Sequence, residues 1–233
     1  MVKIKEYLLH TFLSDFLNNE SVVVDLGANK GEFSDYIAKN FGCSVFAVEP
    51  IPALFKEIET NNLIKKFQHC INGDGRECEL YLEPEKCATA HKVKSGKKIK
   101  AEGKTLKQFL DEAEVSHIDL LKIDIEGAEV ELFESIEEET LQKIDQITVE
   151  FHDFLWSELH GRVEAIKKSL SKRGFYSIPF SLRTNGDVLF VKRGLIKKTT
   201  YWFLKYVLRY IMRVSRKLNR LFENSYHSYL LFS

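Results

Sequence analysis

The chain has 233 residues, which is enough for one α/β domain with a sizeable core and a terminal extension. Hydrophobic residues make up 44% of it and charged residues 29%, a balance that excludes an intrinsically disordered protein. The formal net charge is zero, but residues 1–191 contain 33 acids against 24 bases, whereas residues 192–233 contain ten bases and one acid. An acidic body is therefore followed by a basic tail.

The first 19 residues predict an amphipathic N-terminal helix. Acids at Glu6 and Asp15 interrupt the lysines of this stretch and no small-residue cleavage site follows, which argues against a secretory signal. No apolar run reaches the roughly 18 residues of a membrane span. We expect a cytoplasmic protein that touches a membrane, if at all, from the cytoplasmic face.

Four cysteines, Cys43, Cys70, Cys78 and Cys87, show no CxxC pairing and no histidine at zinc-ligand spacing. We expect them to be reduced thiols that pack as small apolar side chains.

From residue 20 to residue 193 the pattern alternates between strands and helices. Strands are predicted at 21–24, at "CSVFAVEP", at "KFQHCIN", at "CELYLEP", at "HIDLLKIDI" and at "DQITVEF". Helices are predicted to begin at Gly31, at Pro50 to Pro52, near Leu106, at "EGAEVELFESI" and at Trp156. This alternation favours a doubly wound, mostly parallel sheet.

Two further segments of this domain carry their own predictions. The lysine-rich stretch 86–104 lacks periodicity and is predicted to be a surface loop. The segment "GFYSIPFSLRTNGDVLFVK" predicts two antiparallel closing strands with a tight turn at Asn185-Gly186.

The turn after the first strand indicates a ligand site. Asp25 ends that strand and Glu49 ends the next, so both carboxylates face the crevice at the carboxyl edge of the sheet. Gly27 and Gly31 allow a sharp turn and a close approach of the backbone to a ligand. The spacing matches neither the dinucleotide fingerprint nor the phosphate-binding loop. Acids at this corner instead favour S-adenosylmethionine, whose sulfonium is positive and whose ribose hydroxyls suit the Glu49 carboxylate.

Four segments in this order, "VVVDLGANKGEFS", "VFAVEP", "LLKIDIEGAEVELF" and "ITVEFHD", resemble the FkbM family of S-adenosylmethionine-dependent methyltransferases. The resemblance covers about residues 20–192, and its most specific part is 122–129. It implies a class I (Rossmann-like) methyltransferase fold, with seven strands of which the last is antiparallel. It also implies methyl transfer, usually to a hydroxyl of a sugar or of another secondary metabolite.

Carried over residue by residue, the resemblance assigns the cofactor contacts. The methionine-binding turn comprises Asp25, Gly27, Asn29 and Gly31, and Glu49 is the ribose acid. Asn72 and Asp74 occupy the positions that contact adenine. The chain departs from the common pattern after "KTL", where Lys107 and Gln108 stand in place of the acids of many members.

A hydroxyl is a poor nucleophile unless a base takes its proton. The candidates at the carboxyl edge are Asp124, Glu126, Glu150, His152 and Asp153. His152 is our choice, because an unperturbed imidazole has a pKa of about 6.5. Glu126 is the second choice, or the residue that orients the acceptor, and Asp124 completes the predicted catalytic set.

Other interpretations of these residues stay open at this point. Glu126 and Glu129 suit a helix N-terminus, where acids are favoured by the helix dipole. His152 is also compatible with a purely structural role. Asp124, Glu150, His152 and Asp153 would suit a magnesium ion, but a metal is not predicted because the sequence fixes no ligand geometry.

Residues 197–222 contain no glycine or proline and predict one continuous basic amphipathic helix within the tail 194–233. A basic stripe opposite an aromatic and aliphatic face is typical of a helix that lies in a membrane interface. The alternatives are packing against the acidic body or against a second subunit as a homodimer. Nucleic acid is not expected as a partner.

The sequence therefore predicts an S-adenosylmethionine-dependent O-methyltransferase whose acceptor is a saccharide, a lipid-linked glycan or a related metabolite. The alternatives are an N- or carboxyl-methyltransferase, and a non-catalytic membrane- or partner-associated protein that retains the fold.

Overall fold

A seven-stranded sheet forms the centre of the molecule. The computed structural model describes residues 2–83, 86–89, 97–181 and 184–212. The strands in chain order are β1 (Ile4–Tyr7), β2 (His10–Leu13), β3 (Val22–Leu26), β4 (Ser44–Val48), β5 (Ile64–Phe67), β6 (Cys70–Ile71), β7 (Cys78–Glu83), β8 (Lys86–Thr89), β9 (Lys97–Ala101), β10 (Gly103–Lys104), β11 (Leu120–Ile123), β12 (Gln146–Val149), β13 (Phe175–Pro179) and β14 (Val188–Lys192). The helices are α1 (Glu32–Phe41), α2 (Pro52–Glu57), α3 (Leu106–Glu112), α4 (Glu129–Ser135), α5 (Glu138–Gln142), α6 (His160–Lys172) and α7 (Lys198–Phe203).

The order of the central sheet is β13-β14-β12-β11-β3-β4-β5, and β14 alone in this sheet runs against the other six strands. The predicted class I fold with an antiparallel last strand is confirmed. Strand β3 begins with three valines because helices cover both faces of the sheet, and Asp25 is the one charged residue in it. Phe109 of α3, Phe133 of α4 and Val163 of α6 pack on one face, and Phe33 and Ile37 of α1 pack on the other.

The prediction of a helix over residues 1–19 is wrong, because this segment forms the antiparallel hairpin β1–β2. All four residues of β2 are buried, and the Gln146 side chain accepts from the Leu13 N–H (2.9 Å) and donates to the Leu13 carbonyl (3.3 Å). The Thr11 hydroxyl donates to Asp187 Oδ2 (2.7 Å). The two partners, Gln146 in β12 and Asp187 just before β14, lie more than a hundred residues away in the sequence. Their contacts with β2 override the local helical pattern.

The prediction of a loop over residues 86–104 is wrong at both ends of the segment, since β8 and β9 pair with β7 in a three-stranded antiparallel sheet. In β9 the apolar Ile99 packs inward, whereas Lys98 pairs with Glu79 of β7 and Lys100 pairs with Glu77, the residue before β7. The lysines thus line the solvent face of a strand. Residues 90–96 lie outside the described residues.

The expectation of four reduced cysteines is wrong for Cys70 and Cys78, which form a disulfide with their Cα atoms 6.4 Å apart. This bond joins β6 to the beginning of β7. Cys43 is a buried free thiol, as expected. The side chain of Cys87 lies outside the described residues.

Several predicted boundaries differ from the structure. The closing strands β13 and β14 pair as predicted. The predicted tight turn at Asn185-Gly186 is wrong, because the connection between the two strands is longer and spans residues 180–187. The Asn185 amide instead donates to Asp153 Oδ2 (2.7 Å).

The departure from the family pattern at the start of α3 has a structural role. Gln108, which stands where the family pattern has an acid, completes a capping box with Thr105.

The basic tail begins with α7, continues through a π-helical turn at Leu204–Leu208 and is described to residue 212. Leu204 is buried against β13 and β14, and Tyr201 stacks on Tyr176 with ring centroids 4.2 Å apart. The remainder of the predicted helix, 213–222, lies outside the described residues. In the described part of the chain, no helix combines the length and apolar composition that crossing a membrane requires.

Candidate active site

The turn between β3 and α1 brings the backbone against the end of β11. Gly27 has a φ of +76°, and a Cβ added there would lie 1.8 Å from the backbone oxygen of Asp124. Its N–H donates to the Val48 carbonyl at the end of β4 (3.0 Å). Only glycine fits this close approach. Gly31, with a φ of +85°, lies at the N-cap position of α1 and completes the turn.

Glu49 follows β4 and is held by the backbone on both sides. Its Oε2 accepts from the Asn29 N–H (2.8 Å) and its Oε1 from the Ile51 N–H (2.9 Å). Burial raises the pKa of the carboxyl to about 7, against the opposing effect of these two hydrogen bonds. Each oxygen keeps a second lone pair for a further donor.

Between these elements lies a pocket of about 650 Å³ including its open mouth. One side is apolar and is formed by Ile51, Leu54, Ile71 and Leu80. The polar side carries predicted site residues, namely Gly27, Asn29, Glu49, Asp124 and Glu126. A pocket with an apolar slot and a few convergent polar groups suits a nucleoside.

The remaining predicted cofactor residues do not line this pocket. Asp25 is fully buried, accepts from the Ser34 hydroxyl (2.7 Å) and lies 3.0 Å from the Lys122 ammonium. Asn72 and Asp74 lie on the turn after β6. There, Asn72 Oδ1 accepts from the Gly75 N–H, and Asp74 Oδ1 accepts from the Arg76 N–H. Their predicted contact with adenine stays a prediction.

Lys122 is a site residue that the sequence interpretation did not single out, although it opens the most specific segment of the family pattern. Its ammonium is buried and donates to the Gly27 carbonyl (2.7 Å). Burial alone would lower the pKa of Lys122, but Asp25 and Asp124 raise it above its ordinary value. The charged lysine therefore fixes the turn that borders the pocket.

His152 lies immediately behind the polar side of the pocket, after β12. Its Nδ1 is 3.0 Å from Glu129 Oε1, and its Nε2 is 3.3 Å from Glu126 Oε2 and 3.9 Å from Asp124 Oδ1. The structure thus brings together the three predicted catalytic residues. Glu129, predicted only as an acid at a helix start, is buried and also accepts from the Gly127 N–H.

The electrostatics of this cluster differ from the unperturbed values. Burial would lower the pKa of His152, but Glu129, Glu126 and Asp124 raise it to about 9. Burial raises the pKa of Glu150 to about 7, with Asp124 acting in the same direction. The imidazole is therefore a cation at neutral pH, unlike the unperturbed histidine on which the choice of His152 as the base rested.

His10 of β2 was missed because its segment was predicted to be a separate helix. Its Nε2 lies 3.6 Å from Asp124 Oδ2. Asp153, a candidate base in the sequence, turns away from this group and bonds His160 Nδ1 (2.9 Å) and the Asn185 amide.

Comparison with known proteins places these features in a family. The model of the methyltransferase FkbM domain matches residues 25–176. The chain belongs to the FkbM methyltransferase family. It is 26% identical over 186 residues to Methyltransferase 1 of Beauveria bassiana (strain ARSEF 2860), covering 67% of this chain and 73% of that protein.

Solved structures similar to this FkbM protein include two distant ones. One is the fibrillarin pre-rRNA processing protein of Methanococcus jannaschii (TM-score 0.46, 13% identity, 82% of this chain and 71% of that one). The other is M. capricolum TrmK in complex with S-adenosyl-homocysteine (TM-score 0.45, 11% identity, 90% of this chain and 82% of that one).

The family implies S-adenosylmethionine as the cofactor, and the pocket of this FkbM methyltransferase fits it. A Cβ at Gly27 would fill the space where the turn meets Asp124. The doubly anchored Glu49 carboxylate is a suitable acceptor for two vicinal ribose hydroxyls. The apolar slot beside it suits an adenine ring.

Replacing Gly27 by alanine tests the turn. The added methyl group overlaps a backbone oxygen and φ is positive, so we expect the free energy of unfolding to fall by about 3 kcal/mol or more. Cofactor affinity should fall at least tenfold. The control is Gly161→Ala in α6, where nothing lies within 4 Å of the new Cβ and stability should rise by about 0.5–1 kcal/mol. Thermal unfolding measures the stability of the two variants, and calorimetry measures their affinity for the cofactor. Equal stability and equal affinity of the two variants would contradict the assigned turn.

The raised pKa of Glu49 predicts how cofactor affinity depends on pH. The ionised carboxylate is the better acceptor for ribose hydroxyls, and it predominates only above about pH 7. Affinity for S-adenosylmethionine should therefore fall as the pH drops below 7, approaching tenfold per pH unit. Calorimetry from pH 5.5 to 8.5 measures this. In Glu49→Gln the affinity should be lower at pH 8 and should lose this dependence, whereas a wild-type affinity that is flat across pH 7 would refute the role of Glu49.

Proposed function

We propose that this methyltransferase is an O-methyltransferase that methylates a hydroxyl of a saccharide or a lipid-linked glycan. The observation that carries the proposal is that Asp124 and Glu126 line the cofactor pocket and both contact His152. Ionisable groups that can receive a proton therefore lie beside the place where a methyl group would be presented.

S-adenosylmethionine, when bound, supplies an electrophilic methyl group on its sulfonium. The chain itself positions the reactants. Glu49 holds the ribose, the turn at Gly27 leaves room for the amino-acid part, and the apolar slot excludes water. Positioning of this kind accounts for most of the catalysis in an in-line displacement.

With the cofactor bound, the Glu126 carboxylate would take the proton of the acceptor hydroxyl while the hydroxyl oxygen gains the methyl group that leaves the sulfonium. Glu126 takes this role, and not His152, because Glu126 lines the pocket whereas His152 lies behind it as a cation. His152 positions Glu126 through Nε2 and is itself fixed by Glu129 through Nδ1. Glu126, the second choice from the sequence, therefore takes the role of general base in place of His152.

The composition of the cluster supports a polyhydroxylated acceptor. Asp124, Glu126 and Glu150 offer carboxylate oxygens, which accept several hydroxyl groups at once. A carboxylate acceptor would be repelled by these acids, which disfavours carboxyl methylation. An amine acceptor stays as the alternative within the enzyme class, and a non-catalytic protein as the alternative outside it.

Variants of the cluster test this assignment. Glu126→Gln should lower kcat about 100-fold or more, because general-base catalysis contributes that much, while affinity for S-adenosylmethionine stays within twofold. His152→Gln should lower kcat with a similarly unchanged affinity. Release of S-adenosylhomocysteine is measured with monosaccharides and polyprenyl-phosphate-linked sugars as acceptors. His117→Gln, at the opposite end of the sheet, is the matched control. Full activity of Glu126→Gln would refute the role of Glu126.

We also propose that the tail attaches the protein to the cytoplasmic face of a membrane. One face of the helix packs on the body through Leu204, while Trp202 and Tyr206 are 50% and 48% exposed. The Lys205 ammonium lies over the Tyr206 ring and the Arg209 guanidinium over the Tyr210 ring, and residues 192–222 contain no acid. Exposed aromatic rings beside cations suit the interface of an anionic bilayer.

Vesicle sedimentation tests this attachment. With vesicles containing phosphatidylserine, the double variant Trp202→Ser/Tyr206→Ser should bind about tenfold or more weakly than the wild type. Leu155→Ser, which removes an apolar side chain that is 56% exposed elsewhere on the surface, should bind as the wild type does. Absence of wild-type binding, with a molar mass that doubles at high concentration, would instead assign the exposed face to a homodimer.

A further inference from the structure

Three side chains from distant parts of the sequence meet beside the cofactor pocket. His10 comes from the N-terminal hairpin, Asp124 follows β11 and Glu150 follows β12. One nitrogen or oxygen atom of each lies within 4.8 Å of the corresponding atoms of the other two. Atoms that bind a common ion at about 2.1 Å lie about 3 to 4 Å from one another, so small shifts would close the group around a cation.

The imidazole of His10 points into this group without a hydrogen bond at Nε2. The residue is 1% exposed, and the Asp124 oxygen at 3.6 Å lies beyond hydrogen-bond length. A buried polar atom without such a bond costs about 1–3 kcal/mol. Nearly all buried polar groups in proteins have a partner, so this nitrogen indicates a ligand.

Contacts from β12 and α1 hold the imidazole in the orientation that a metal ligand needs. His10 Nδ1 lies 3.4 Å from the Thr148 hydroxyl of β12, and the ring packs edge-on to Phe33. With the proton on Nδ1 and donated to Thr148, the lone pair of Nε2 faces Asp124 and Glu150. A second hydrogen bond of this kind is typical of histidines that bind metals.

We propose that His10, Asp124 and Glu150 bind a divalent first-row transition cation, such as Mn²⁺. Magnesium and calcium prefer ligand sets made of oxygen alone, whereas an imidazole combined with carboxylates suits the transition ions. The site differs from the magnesium set that the sequence left open (Asp124, Glu150, His152 and Asp153), since His10 is present and His152 and Asp153 are absent.

The position of the ion gives it a part in methyl transfer. Asp124 borders the cofactor pocket, so an ion bound to it would lie beside the place of the acceptor. Such an ion would bind a saccharide hydroxyl and help it to lose its proton. This part rests on the proposed function, whereas the binding of the ion does not.

A second group of the same residue types provides a control within the chain. His117, Asp119 and Asp145 also lie close together, at the opposite edge of the sheet. Here His117 is 50% exposed and its Nε2 is 3.2 Å from Asp145, while Asp119 accepts from the Val22 N–H. These groups have partners and form a surface network.

Titration of the full-length, chelator-treated protein with MnCl₂, followed by the electron paramagnetic resonance signal of free Mn²⁺, tests the proposal. One ion should bind per chain. His10→Leu and Glu150→Gln should each weaken binding at least tenfold, and Thr148→Val by about tenfold, as expected for loss of an outer hydrogen bond. His117→Gln should bind as the wild type does. Circular dichroism confirms that each variant is folded, and Glu150, which is only half-buried, provides the variant that folds if His10→Leu does not.

Absence of stoichiometric binding, or binding that survives both His10→Leu and Glu150→Gln, would overturn the site and leave His10 as an ion-pair partner of Asp124 only. Calorimetry with S-adenosylmethionine on the same samples separates the two proposals. Mn²⁺ binding without cofactor binding would support the metal site and reject the methyltransferase function. Cofactor binding and activity in the presence of chelator, without Mn²⁺ binding, would support the methyltransferase function and reject the metal site.

Discussion

The buried ammonium of Lys122 is the interaction on which the site depends. It joins the ends of β3 and β11 by contacting Asp25 (3.0 Å), the Gly27 carbonyl (2.7 Å) and Asp124 (3.8 Å). Asp25 has no access to solvent, so removal of the lysine charge would leave a buried carboxylate uncompensated at a cost of about 3–5 kcal/mol. The glycine turn, the cofactor pocket and the acceptor-side cluster all begin within a few residues of this contact.

Around this contact the fold concentrates acids in a place where burial works against their ionisation. Burial raises the pKa of both Glu49 and Glu150 to about 7, whereas the pKa of Asp124 stays below its usual range, against the effect of burial, because the Lys122 and His152 cations lie beside it. Carboxylates with different proton affinities therefore coexist within one crevice. Such divergence is typical of sites that bind cations and move protons, and it matches a cofactor whose reactive centre is a cation.

Three segments of the chain show how far local sequence patterns extend. Residues 1–19 carry a helical pattern, yet β2 is a strand because Gln146 and Asp187 supply partners for its backbone and for Thr11. In the segment 86–104 a high lysine content concealed strand alternation, since the cations pair with Glu77 and Glu79 on the solvent face. The disulfide between Cys70 and Cys78 likewise depends on strand proximity that no spacing motif encodes. Each error concerns a contact with another strand, which a local pattern does not contain.

By itself, the sequence determined the doubly wound sheet, the antiparallel last strand, the Gly27 turn and the two acids Asp25 and Glu49 at the ends of neighbouring strands. These features follow from local patterns, since apolar runs, glycines and capping residues act over a few positions. Only the tertiary structure decided which carboxylates border the pocket, that His152 is a cation, and that His10 enters the crevice. The charge of a side chain depends on the burial and the charged neighbours that folding brings to it, and those neighbours come from parts of the chain that no local pattern connects.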